Sequence, residues 1–95
     1  MTNQTHIALM DNHSGLISWQ GMADDAAHAV MQCMDDIGEA RNPGEFVSYN
    51  PHDTRSGFHV FELPENAAEC EDGQDQEHID YIEEIGVYKG FIELI

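Results

Sequence analysis

Nine of the chain's nineteen carboxylates fall between Glu65 and Glu84, in ENAAECEDGQDQEHIDYIEE, a run with no Lys or Arg. Carboxylates at this density can ligate a divalent cation, solvate a face, or meet a strongly positive surface. The calcium option fails position by position. An EF-hand loop needs Gly sixth and Glu twelfth; placing Gly73 sixth puts Ala68 first, Cys70 third and Ile79 twelfth. What remains for metal is an irregular carboxylate site, a divalent-metal alternative that stays open.

The six histidines, His6, His13, His28, His52, His59 and His78, form no HExxH, and neither cysteine has a second cysteine at zinc-ligand spacing. His52 and His59 flank an expected loop and could converge across a hairpin. No cofactor is expected. There is no G-x-S-x-G, P-loop or G-x-G-x-x-G. Cys33 falls on the apolar stripe of an expected helix, where packing outweighs nucleophilic use. Cys70 lies among Glu69, Glu71 and Asp72, which disfavour its thiolate. No catalytic residue emerges, and the chain is read as not an enzyme.

The charge balance narrows the function further. Three cations, Arg41, Arg55 and Lys89, leave a formal net charge of −16 over 95 residues. Nucleic-acid binding draws its affinity from Lys and Arg on phosphates, so direct DNA or RNA binding is excluded. Phosphorylated or carboxylated substrates are disfavoured for the same reason. The opening MTNQTHIALM has neither a basic nor an extended apolar segment, and no apolar run approaches a membrane span. With two widely separated cysteines, the expectation is a cytoplasmic protein with free thiols and no membrane.

The elements that must position these residues follow from periodicity. HIALM (6–10) and LISWQGM (16–22) read as a β-hairpin turning at Gly15, with Ile17 and Trp19 on one face. Between Ala23 and Gly38 the residues Ala26, Val30, Cys33, Met34 and Ile37 recur at helical spacing, with Asp24 and Asp25 in the first turn. RNPGE reads as a turn. FVSYN (46–50) and FHVFEL (58–63) read as a second hairpin, with Phe58, Val60 and either Phe61 or Leu63 inward. DQEHIDYIEEIG (75–86) is an amphipathic helix with Ile79, Ile82 and Ile85 inward, and VYKGFIELI (87–95) is a closing strand tied into a sheet. Trp19, Phe46, Tyr49, Phe58 and Phe61 are expected to pack. The sum is one α+β domain over residues 1–95, in the order β-β-α-β-β-α-β, with an antiparallel sheet of four to five strands and two helices packed on it.

On the second helix Glu77, Asp80 and Glu84 share a face opposite the isoleucines, with Glu83 beside them. At about 1.5 Å per residue their axial separations are about 4.5 and 6 Å, on the scale of the ~3.4 Å advance per phosphate of one duplex strand. Glu69, Glu71, Asp72 and Asp75 extend the row upstream, and Asp35 and Asp36 add carboxylates from the first helix. A merely solvated face normally interleaves both signs, because like charges four apart repel; here the cations are missing. The partner this predicts is a Lys/Arg-rich surface of a nucleic-acid-binding protein or complex. A homodimer is compatible with the pattern.

In size, charge and the run ECEDGQDQEHIDYIEE, the chain resembles the small acidic proteins of phages and mobile elements that imitate nucleic acid, the anti-CRISPR and anti-restriction inhibitors. That class shares no common motif, so the resemblance carries over no residue. It implies a cytoplasmic inhibitor in a bacterial host that occupies the nucleic-acid channel of a CRISPR effector or restriction enzyme. The alternative from another class is an acidic interaction module that binds through apolar surface.

Overall fold

The computed structural model describes residues 4–48, 52, 54–68 and 76–95. Seven elements follow one another: β1 (Thr5–Asp11), β2 (Ile17–Ala23), α1 (Ala26–Ile37), β3 (Pro43–Val47), β4 (Gly57–Leu63), α2 (Gln76–Ile85) and β5 (Val87–Leu94). The five strands form one antiparallel sheet in the order β2-β1-β4-β5-β3. The expected α+β class and element order are those observed.

The β1–β2 hairpin closes through the Asp11 carboxylate, whose Oδ2 accepts from the backbone N–H of His13 (3.1 Å) and Ser14 (2.8 Å), with Gly15 at φ 71°. Its register breaks once. Leu9 faces Trp19 while Met10 faces Ile17, leaving Ser18 as an extra residue. Such a bulge reverses side-chain phase. Ile17 and Trp19, expected on one face, therefore pack on opposite faces.

Consecutive residues of a strand point to opposite faces, and in β1 four in a row, His6 to Leu9, are buried. Ile7 and Leu9 join Phe58, Val60 and Ile92 beneath the α1 residues Ala29, Val30, Cys33 and Met34. On the other face Ala8, Phe61 and Leu63 receive Ile79 and Ile82 of α2. The helices thus cover opposite faces of one sheet. The inward residues of β4 are accordingly not a choice between Phe61 and Leu63; both are buried, under α2.

The expected second hairpin does not form. β4 lies between β1 and β5, and β3 pairs with β5 instead. The sorting is physical: β4 is buried on both faces and needs a central place, whereas β3 is short, has no buried residue and opens on Pro43, which cannot donate to a ladder. β3 also begins earlier than FVSYN, taking in residues read as a turn, and Tyr49 lies outside the described residues. The closing strand is tied in as expected. Asn42 and Ile95 exchange backbone bonds (Asn42 N–H to Ile95 O, 3.2 Å; Ile95 N–H to Asn42 O, 3.0 Å), and Arg41 donates to Leu94 O at 2.9 Å.

Two apolar expectations fail. Ile37 is 53% exposed and Phe46 51% exposed. Ile37 closes the last turn of α1 beyond the edge of the stripe, and Phe46 sits on the edge strand.

Candidate partner-binding faces

α2 is a platform with a fixed underside. Its first turn carries Glu77, which suits the positive end of the helix dipole, while Glu83 and Glu84 near its end oppose the dipole. Beside Ile79 and Ile82, a polar relay reinforces the apolar contact. His78 Nε2 lies 2.7 Å from Gln20 Oε1, Gln20 Nε2 lies 3.1 Å from His6 Nε2 and donates to Ala68 O at 2.9 Å, and His6 Nδ1 lies 3.2 Å from Pro64 O. These partners assign the protons. Pro64 O can only accept, so His6 carries its proton on Nδ1 and accepts from Gln20 at Nε2; Gln20 Oε1 then accepts from His78 Nε2–H. Among the described residues His6 and His78, at 3% and 9% exposure, are the buried polar ones. Tyr81 adds a contact, its hydroxyl accepting from Ala68 N–H at 3.1 Å.

On the outer side Glu77, Asp80, Glu83 and Glu84 are all exposed, and Gln76 Nε2 donates to Asp80 Oδ1 at 2.9 Å. The four remaining acids expected to extend the row, Glu69, Glu71, Asp72 and Asp75, lie outside the described residues.

α1 presents a second, separate acidic face. Asp25 is its N-cap rather than a first-turn residue, as Asp24 also is not. Asp25 Oδ1 accepts from the backbone N–H of His28 (2.9 Å) and from its ring Nδ1–H (2.8 Å). The bond from His28 N–H lowers the Asp25 pKa, and the Asp25 carboxylate raises that of His28. At the other end Gly38 N–H reaches Asp35 O and Glu39 N–H reaches Met34 O, a Schellman closure. Asp35 and Asp36 are exposed there. Because α1 and α2 cover opposite faces, Asp35 and Asp36 do not continue the α2 row; a flat partner meets one set or the other.

A third cluster went unread in the sequence. His59 lies half-buried on the α2 face beyond the helix, its Nδ1 2.9 Å from the Tyr88 hydroxyl and its Nε2 3.1 Å from Asn12 Oδ1. Asn12 Nδ2 donates to Arg55 O (2.9 Å), so Oδ1 accepts, His59 is protonated on Nε2, and Nδ1 accepts from Tyr88. Burial lowers the His59 pKa, which keeps the ring neutral. Both ring nitrogens serve to hold the loop, with Arg55 over the Phe91 ring at 5.5 Å. The hairpin expected to bring His52 and His59 together is absent, since β4 pairs with β1 and β5. Among the described residues no three metal-ligating side chains converge. Cys33 is buried and its thiol is pushed up to about 11, chiefly by burial, so it is not a thiolate at neutral pH. Among those residues no helix is long and apolar enough to cross a membrane.

Comparison with protein families, curated proteins and solved structures gives no match for this chain.

Proposed function

We propose that the protein is a non-enzymatic inhibitor that occupies the basic, nucleic-acid-binding surface of a protein complex, with the α2 carboxylates standing in for phosphates. One observation carries this reading: Glu77, Asp80, Glu83 and Glu84 are exposed on a helix whose opposite side is locked down by Ile79, Ile82 and the His78–Gln20–His6 relay. A row of like charge on a pre-ordered support loses little further freedom on binding. Arg side chains opposite it make charge-assisted hydrogen bonds, and a net charge of −16 draws a basic partner in over long range. A CRISPR effector or a restriction enzyme in a bacterial cytoplasm is the class of target that fits.

The test is capture of a partner from bacterial lysate at low and high salt, with duplex DNA or guide-bearing RNA as competitor. Binding that weakens steeply with salt and yields to nucleic acid is expected. Affinity indifferent to both would refute the mimicry.

A further inference from the structure

On the α1 side of the sheet, between the start of α1 and strands β4 and β5, lies a groove of about 280 Å³. Its floor is apolar, from Ile7 and Val60, and one wall is Phe46. The rim is charged, with Asp24, Asp25 and Glu62 against Lys89. Gly90 explains how an edge-strand aromatic comes to line it. Its φ of 130° disfavours other residues, and a Cβ there would sit 3.2 Å from the Phe46 ring, so the bare backbone seats the ring on the sheet.

We infer that this groove binds an arginine side chain of a partner protein. A ligand that covers the floor without stranding the rim must join an apolar stem to a cationic head, the form of long basic side chains. An anion would meet both the rim carboxylates and the −16 field. An uncharged apolar group would desolvate Asp24 and Glu62 and give them nothing in return. The rim already holds one cation: Lys89 Nζ lies 3.3 Å from Glu62 Oε2. The half-exposed Phe46 ring selects arginine over lysine, because a guanidinium stacks on an aromatic face while forking to carboxylates. Asp25 is engaged by His28 and Glu62 by Lys89, so Asp24 is the main acceptor and Glu62 a shared one. This site lies opposite α2 and stands whether or not the α2 row meets a basic groove.

The test is an NMR titration of the isotope-labelled full chain with three blocked tripeptides, Gly-Arg-Gly, Gly-Lys-Gly and Gly-norleucine-Gly. The arginine peptide should give saturable shifts at the Ala26, Phe46 and Gly90 amides, about threefold tighter than lysine, as a cation–π term of ~0.5–1 kcal/mol implies. The norleucine peptide should give none. Phe46→Leu keeps an apolar wall and should erase the preference for arginine over lysine. Lys89→Met frees Glu62 and should tighten arginine binding about twofold to threefold, the loss of one exposed ion pair. Equal arginine and lysine affinities, shifts spread evenly over both acidic faces, binding of norleucine, or silence at the groove amides would each overturn the assignment.

Discussion

The two helices are attached to their sheet faces by different means. α1 seats Ala29, Val30, Cys33 and Met34 on Ile7, Leu9, Phe58 and Val60, an apolar contact. α2 has a smaller apolar patch, Ile79 and Ile82, and beside it a hydrogen-bonded relay in which one glutamine amide satisfies two histidines and a carbonyl. Apolar burial is non-directional and tolerates small shifts. A relay of donors and acceptors tolerates only one arrangement. The helix carrying the proposed binding row is thus the one whose orientation is specified by geometry.

The largest expected effect comes from the core on the α1 face of the sheet. Leu9 is fully buried, and Leu9→Ala should cost about 3 kcal/mol, lowering Tm by roughly 15 °C. Hydrogen exchange should then quicken over both helices together, because the loss is global. Gln20→Leu breaks the symmetry. It leaves His78 Nε2–H, Ala68 O and His6 Nε2 without their present partner and should cost about 2 kcal/mol. Exchange should rise in α2 while α1 stays protected against its own face. Equal loosening of both helices would show that the relay does not single out α2.

Asp25→Ala should cost about 1 kcal/mol, as the loss of an N-cap does, and Asp25→Asn much less, because Asn also caps. Urea midpoints measure both, and the effect should be confined to α1. Smaller still is the acid response of the α2 face. His59 has a folded pKa below its ordinary 6.5, so above 6.5 the ring is neutral in both states and the fold keeps its full stability. As pH falls below 6.5 the unfolded chain takes up the proton first, and stability declines until the folded pKa is passed. His59→Gln should flatten this part of the stability-against-pH curve. The exposed His28, its pKa raised by Asp25, acts oppositely: its contribution is present below 6.5 and fades as pH rises through the folded value.

What the sequence disclosed tracks how local each signal is. Both helices announce themselves in Val30–Cys33–Met34 and Ile79–Ile82, because their period is written within a few residues. The outward row Glu77–Asp80–Glu84 follows from that same period. The partner of β3 is not local. Chain adjacency favours a hairpin with β4, and only the two-sided burial of β4 reveals that its neighbours are β1 and β5. That burial was faintly legible in FHVFEL and HIAL, where apolar residues occupy both phases of the alternation. The same signal implies a helix on each face, which separates Asp35 and Asp36 from the α2 row. The Ser18 bulge and the His78–Gln20 contact, 58 positions apart, leave no local mark.

The most direct test of the binding row compares two isosteric neutralisations against the captured partner. Glu77→Gln/Asp80→Asn/Glu84→Gln acts on the α2 face, and Asp35→Asn/Asp36→Asn/Glu39→Gln on the α1 face; each removes three charges, so the change in net charge is matched. If the α2 row meets the basic groove, the first variant should lose affinity about a hundredfold, as the loss of roughly 3 kcal/mol of charge-assisted contacts implies. The second should lose only the few-fold due to weaker long-range attraction. Equal losses, or a greater loss from the α1 variant, would contradict the assignment of the binding face to α2.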